Sequence, residues 1–328
     1  MEDFRNLVNL ASERLGAAVL AANDDFFAPK ESLVRDSAPV FKEGEYTDRG
    51  KWMDGWETRR RREPGYDWAI LRLGLSGIVR GVVVDTAHFK GNYPESCSIE
   101  ACEGPPDAGA GALEAAAWTE ILPRTPLAGD RENAFPVTST GRSTHLRLNI
   151  FPDGGVARLK AYGLVLPDWA RLARESAVDL AAIENGGLVV AASDMFFGSR
   201  HNLILPGRGR GMHDGWETKR RRGPGHDWAI VKLGRPGAIR AAEVDTIHFK
   251  GNAPGSCSID VATVSGAQEK DAAASDAAWR PLLPQTPLKP HTLHRFEGEI
   301  RDAGEATHAR LNIYPDGGVS RLRLYARP

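Results

Sequence analysis

Apolar residues recur along most of this chain with a period of two, the spacing of strands that bury one face, rather than the 3.6 of amphipathic helices. His145-Leu-Arg-Leu-Asn-Ile150 alternates cleanly. Trp68–Leu73 and Trp228–Leu233 are short β-prone runs ending at Gly74 and Gly234, Ile78–Asp85 is rich in β-branched residues, and Ser98–Glu100 and Ser258–Val261 are brief strands. Pro152-Asp-Gly-Gly155 separates His145–Ile150 from Val156–Ala161, with proline and glycines placed as in a tight hairpin turn. Short strands broken roughly every 8–12 residues by Gly, Pro and Asp predict an all-β chain of antiparallel sandwiches, specifically jelly rolls of about eight strands. Helical signal is confined to Phe4–Leu15 and Asp168–Glu184. In the second, Asp168 can cap a helix whose first turn carries Trp169, and Asn185-Gly186-Gly187 supplies a left-handed stop.

The pattern occurs twice. Asp54-Gly-Trp-Glu-Thr58 returns as Asp214-Gly-Trp-Glu-Thr218, and Val84-Asp-Thr86 with His88-Phe-Lys-Gly-Asn92 returns as Val244-Asp-Thr246 with His248-Phe-Lys-Gly-Asn252, both 160 residues on. Pro152-Asp-Gly-Gly-Val156 returns as Pro315-Asp-Gly-Gly-Val319 at an offset of 163, and Asp24 with Phe26-Phe27 returns as Asp194 with Phe196-Phe197 at 170. The drifting offset marks loop insertions. The stretch Glu103–Ala115 barely matches Thr263–Ala277, so ordinary surface has diverged. A period this long suits duplication of a whole domain. The reading is two tandem jelly-roll modules, residues 1–166 and 167–328, each preceded by a short helix.

Composition narrows the class. A chain of 328 residues gives each module enough length to bury a core, and a net charge of −1 offers no sequence-wide basic signal for nucleic acid. Three cysteines, Cys97, Cys102 and Cys257, are too few for a disulfide scaffold, and an odd number points to a reducing compartment. No apolar run approaches the roughly 20 residues that span a bilayer, and the polar start Met1-Glu-Asp-Phe-Arg5 is not a secretory leader. A cytoplasmic location follows, with no membrane and no nucleic-acid partner. No G-x-G-x-x-G or G-x-x-x-x-G-K-[ST] loop supports a nucleotide-binding fold.

Candidate chemistry lies in the two repeated motifs. Asp54-Gly-Trp-Glu-Thr-Arg-Arg-Arg-Arg62 and Asp214-Gly-Trp-Glu-Thr-Lys-Arg-Arg-Arg222 pack two carboxylates, an indole and four cations into nine residues. Carboxylates accept N–H groups of ureido or guanidino compounds, and guanidinium forks clamp carboxylates. The alternative is a self-neutralising loop whose Trp56 and Trp216 plug the core. The second motif follows an apolar strand, so Asp85, His88, Lys90 and Asn92 stand at a strand end, as do Asp245, His248, Lys250 and Asn252. If the chain stays extended, His88 and Lys90 share one side and Phe89 takes the other. Histidine exchanges protons near neutrality; alternatively a His–Asp hydrogen bond only locks the loop. His145 and His308 read as core or capping residues, and Cys97 and Cys257 as buried small residues rather than nucleophiles. No spacing such as His-Glu-x-x-His identifies a metal site, but His88, Asp85 and a carboxylate of the Asp54 loop would supply three ligands to a divalent metal.

Taken together, Leu7–Gly16, Asp24–Pro29, Asp54–Arg60, Gly65-Tyr-Asp-Trp68, Val84–Asn92 and their second copies strongly resemble the allantoicase family over essentially the whole chain. The resemblance implies repeated jelly rolls akin to galactose-binding domains, a homo-oligomer, and hydrolysis of allantoate to ureidoglycolate and urea. On that reading His88 and His248, with Asp85 and Asp245, are the acid–base candidates. Asp54, Trp56, Glu57, Arg60, Lys90 and Asn92 are the substrate-binding candidates, with Asp214, Trp216, Glu217, Arg220, Lys250 and Asn252 as their twins. The competing readings are a non-catalytic tandem sandwich that binds a carbohydrate or other small ligand, and another ureido or guanidino hydrolase. The copies also differ: Met53 faces His213, Arg59 faces Lys219, Glu63 faces Gly223 and Tyr66 faces His226.

Overall fold

In a computed structural model of the chain, which describes residues 3–105, 107–113, 116–264 and 278–327, alternation builds strands as the sequence predicts. In Ser143–Phe151 the side chains of Leu146, Leu148 and Ile150 are fully buried, while Arg147 between them stays partly exposed. The chain divides into two compact units, Met1–Leu166 and Pro167–Pro328. Much of the divergent stretch Thr263–Ala277 lies outside the described residues, as do positions 106 and 114–115 of its counterpart.

Each unit is a jelly-roll sandwich. In the second, one sheet runs Leu188–Ala192, Asp227–Gly237, Ala306–Tyr314, Ser256–Ala262 and Arg280–Pro287 from edge to edge. The other runs Val178–Asp179, Arg321–Ala326, Ile239–Asp245 and Leu293–Phe296. All pairs are antiparallel. The first unit has the same plan with one change. Its two central strands are fused into a single 19-residue strand, Asp67–Asp85. The first half of that strand pairs with Ala18–Ala22 and Ser143–Phe151, the second with Arg158–Val165 and Glu132–Pro136.

Three local expectations change. Gly74 does not end a strand. It lies within Asp67–Asp85, where a Cβ would meet the backbone of Leu15 at 2.7 Å, so glycine there admits a close chain crossing. Pro152-Asp-Gly-Gly155 does not close a hairpin. Ser143–Phe151 and Arg158–Val165 pair with opposite halves of the long strand, so the turn carries the chain from one sheet to the other. The opening helices shrink to single turns. Phe4–Asn6 and Glu13–Leu15 are 3-10 turns flanking the edge strand Val8–Asn9. In the second unit Trp169–Leu172, capped by Asp168 as predicted, precedes Val178–Asp179 and the 3-10 turn Ile183–Asn185, which Gly186 stops at φ +89. Val8, Leu10 and Ala11 are buried against the sheet, and the edge pairing of Val8–Asn9 and Val178–Asp179 interrupts each predicted helix.

Candidate active site

The turn between sheets is what joins the two sequence motifs. Gly155-Val156 pairs with Trp56-Glu57, Thr58 N–H donates to Gly154 O (3.2 Å), and Arg61 N–H donates to the Asp153 carboxylate (2.8 Å). On its other side Gly155 N–H donates to Asn92 O at 2.7 Å. Glycine is required at 155, because a Cβ there would overlap the ring of Phe89, which is fully buried. The result is a cleft of about 870 Å³ whose lining includes Glu57, Arg60, Arg62, Asn92, Tyr93 and Asp153.

Within this cleft Asn92 Nδ2 donates to Glu57 Oε1 at 2.7 Å. Burial pushes the Glu57 carboxyl up, and the Asn92 bond offsets only part of that rise. Arg60 is exposed and, among the described residues, makes no ion pair or hydrogen bond, so its guanidinium is available to an anion. A half-buried carboxyl whose burial favours the protonated form shares this cleft with an unpaired guanidinium, so a proton donor and an anion clamp lie on one lining.

His88 and Lys90 line an adjoining hollow of about 280 Å³ with Phe41, Lys51 and Met53, and the two hollows share Gly91 and Asn92. Phe89 does turn inward while His88 and Lys90 turn outward, but not along an extended strand. His88 is left-handed (φ +70) inside a turn closed by Phe89 N–H to Thr86 O, and its own N–H donates to Asp130 Oδ1 at 2.8 Å. Its Nε2 is 3.2 Å from Pro39 O, and Lys90 Nζ is 3.9 Å from the Asp130 carboxylate.

Several candidates prove to be framework. Trp56 and Trp216 are fully buried, with their indole N–H groups on Asp24 O (2.7 Å) and Asp194 O (2.8 Å), so neither ring can meet a ligand. Asp54 pairs with Arg158 (2.8 Å) and Arg35 (3.2 Å) and accepts Val40 N–H. Burial would raise its carboxyl, but Arg158, the Val40 amide and Arg35 together hold it below the usual range. Asp214 pairs in the same way with Arg321 at 3.1 Å. Asp85 and Asp245 cap their own turns, accepting Ala87 N–H (2.9 Å) and Ile247 N–H (2.8 Å), and both are buried behind the loop. The proposed metal trio of His88, Asp85 and a carboxylate of the Asp54 loop is not assembled. Among the described residues no group of three or more His, Cys, Asp or Glu converges to hold a metal. His145 and His308 are core residues beside Thr144 and Thr307 hydroxyls, and burial pushes the Cys97 and Cys257 thiols up to about 12.

Sequence reasoning missed Arg158 and Arg321, the buried partners of Asp54 and Asp214. Their signal was available: Gly155-Val-Ala-Arg-Leu159 repeats as Gly318-Val-Ser-Arg-Leu322, an arginine embedded in an apolar strand.

A family model described as the allantoicase repeat matches the chain twice, over residues 8–166 and 178–328. The chain belongs to the allantoicase family. A probable allantoicase of Pseudomonas aeruginosa (strain UCBPP-PA14) is 51% identical over 328 residues, covering 99% of this chain and 97% of that protein. Probable allantoicase 1 of Burkholderia mallei (strain ATCC 23344) is 51% identical over 324 residues, covering 99% and 95%. The crystal structure of allantoicase from Saccharomyces cerevisiae superposes with a TM-score of 0.83 at 34% identity, covering 99% of this chain and 96% of that one. The second allantoicase repeat keeps the central pair, with Asn252 Nδ2 donating to Glu217 Oε1 at 2.6 Å, and keeps His248 left-handed at φ +77. Arg220 and Lys250 are exposed and, among the described residues, make no ion pair or hydrogen bond.

Proposed function

We infer that this chain hydrolyses allantoate to ureidoglycolate and urea, with the chemistry at the Glu57–Asn92 pair and the Arg60 guanidinium of the same cleft. The carrying observation is the Glu57 carboxyl, pushed up by burial, bonded to Asn92 and lining one cleft with the unpaired Arg60. Allantoate is a central CH bearing a carboxylate and two ureido groups. Arg60 holds the carboxylate. Protonated Glu57 gives its proton to the nitrogen of one ureido group, the C–N bond breaks with its electron pair on that nitrogen, and urea leaves. The lone pair of the remaining ureido nitrogen stabilises the iminium left behind. Ionised Glu57 then takes a proton from the water that adds to this carbon, which restores the acid and gives ureidoglycolate. One carboxyl thus serves as acid and then base.

This reading moves the proton-transfer role from His88 to Glu57, because the His88 ring lies against Pro39 O in the adjoining hollow. His88 and Lys90 shape that side of the site. The burial of Trp56 and Trp216 removes them as the aromatic platform on which a sugar-binding rival would rely. The proposal includes a cytoplasmic homo-oligomer. Three free, buried cysteines support a reducing compartment, and among the described residues no helix is long and apolar enough to cross a membrane.

Purified protein given allantoate should release urea and ureidoglycolate in equal amounts, and repeating the assay after chelation and with added divalent metals decides any metal requirement. Absence of urea under every metal condition would reject the reading. Glu57→Gln should lower turnover by about two to four orders of magnitude. His88→Asn, which tolerates the left-handed backbone, should cost less; the reverse order would return the proton transfer to His88.

A further inference from the structure

The two repeats keep the same Glu–Asn pair but differ in what stands beside it. In the first, Tyr93 follows Asn92 and lines the cleft with Glu57 and Arg60. Its ring packs over Gly129, where a Cβ would overlap it, and against the buried cluster of Ala28, Met53, Phe89 and Ala157. The ring is thereby fixed, while the hydroxyl has no hydrogen-bond partner among the described residues. In the second repeat Ala253 follows Asn252. Asp130 and His291 fill equivalent places, since each accepts the backbone N–H of the left-handed histidine, at 2.8 and 2.9 Å. Gly129 therefore corresponds to Pro290. The two exchanges are coupled: glycine opens room for the tyrosine ring, and where that ring is absent a proline fits. Glu95, also on the cleft lining, corresponds to Gly255.

The chemistry gives Tyr93 a task. Allantoate presents three groups. Arg60 meets the carboxylate, and Glu57 with Asn92 meets the departing ureido group. The second ureido group must be turned so that its nitrogen lone pair aligns with the breaking C–N bond, which calls for a third fixed polar contact. We propose that the first repeat carries the productive site, that Tyr93 is a substrate-contacting residue whose hydroxyl holds the retained ureido group, and that the second repeat, with Ala253 in its place, does not turn over allantoate at a comparable rate. This rests on the hydrolytic reading given above.

The test compares urea release by the full-length protein and its Glu57→Gln, Glu217→Gln and Tyr93→Phe variants, each checked for an unchanged melting temperature. Glu57→Gln should lose at least tenfold more kcat/KM than Glu217→Gln. Tyr93→Phe preserves the ring over Gly129 and removes only the hydroxyl, so kcat/KM should fall about tenfold, the worth of one neutral hydrogen bond, with no loss of stability. Equal losses in Glu57→Gln and Glu217→Gln, or wild-type kinetics in Tyr93→Phe, overturn the inference while leaving the hydrolytic reading intact. If the unmodified protein releases no urea, that reading fails on its own. Calorimetric titration with allantoate, then free of turnover, still decides: one equivalent per chain, weakened by Tyr93→Phe, supports the first-repeat site, and two equivalents or none overturns it.

Discussion

Asp179→Asn should stabilise the second unit, because the carboxylate it replaces is buried with one oxygen lacking a hydrogen bond. Asp179 sits at the edge strand that opens that unit, nearly enclosed by protein. Its Oδ1 accepts Ala181 N–H at 3.0 Å and Leu324 N–H at 2.8 Å. Asn9, at the equivalent place in the first unit, uses its amide oxygen for the same two bonds, to Ala11 (3.2 Å) and Ala161 (3.0 Å). The second carboxylate oxygen has no hydrogen bond, and Arg323 Nε lies 3.5 Å away. Burial pushes this carboxyl up from 3.8 to about 6, against the pull of Arg323 and the two amides, with Glu184 adding to the rise. The folded state therefore holds the proton more tightly than the unfolded chain. Between pH 3.8 and about 6 the folded protein binds more protons than the unfolded one, so stability falls as pH rises through that window. Above it the loss is constant, about 3 kcal/mol for a shift of roughly two units. Asparagine removes the ionisation and keeps both amide bonds. Arg323 is not orphaned, since it also donates to Leu205 O and Gly207 O. The asparagine Nδ2 must find an acceptor, and the Glu184 carboxylate, whose charge is felt at this position, carries one buried oxygen with no hydrogen-bond partner. Allowing for that adjustment, the net gain at pH 8 is about 1–2 kcal/mol, or about 3–6 °C in a unit of this size. Thermal melts of the full chain at pH 4, 6 and 8 check it. The variant should melt higher at pH 8, and the difference should close towards pH 4. A variant that melts lower at pH 8, or a difference independent of pH, would refute the reasoning and show the Asp179–Arg323 pair to be net stabilising.

Arg158→Met leaves the buried Asp54 carboxylate with only the more exposed Arg35 and the Val40 amide, so it should destabilise the first unit by about 2–4 kcal/mol in urea titration, and adding Asp54→Leu should recover much of the loss. The cysteines, all buried and with Cys97 and Cys257 pushed up to about 12, should resist a thiol-labelling reagent at pH 8 in the native protein and react in denaturant; native labelling of Cys97 would contradict its placement. Gly155→Ala forces the Phe89 ring out of its seat and with it the His88–Asn92 loop, so kcat/KM for urea release should fall by at least about tenfold even where the protein still folds.

The sandwich was legible because one face of each strand is buried and alternation records that directly. What was not legible was which sheet a strand joins. Gly74 and the Pro152–Gly155 turn carry local signals of chain ends and hairpins, yet one sits in an unbroken strand and the other crosses between sheets. Both outcomes depend on long-range contacts, Leu15 over Gly74 and the pairing of each strand with a different half of Asp67–Asp85, that no local window contains. The opening segments misled for a related reason. Asp168 does cap a helical turn, but the turn spans only Trp169–Leu172, and the rest of the predicted helix is interrupted by the edge strand Val178–Asp179.

For the site, recurrence between the copies identified residues under constraint without separating the constraints. Asp54, Trp56 and Asp85 recur with Asp214, Trp216 and Asp245 because both copies need the same buried ion pair, core plug and turn cap. A carboxylate that must neutralise a buried arginine is as strictly required as one that must hold a proton, and a sequence shows only the requirement. The distinction lies in what the side chain faces: Asp54 faces Arg158, whereas Glu57 faces Asn92 and an open cleft. Differences between the copies carry the complementary information. A framework residue must stay in both modules to keep both folded, whereas a residue that meets substrate is free to differ in a repeat that does not turn it over, even where Glu217 and Asn252 are kept. Tyr93 and Gly129 differ together from Ala253 and Pro290 while the Glu–Asn pair and the left-handed histidine are kept, and that freedom is expected of a function held by one repeat.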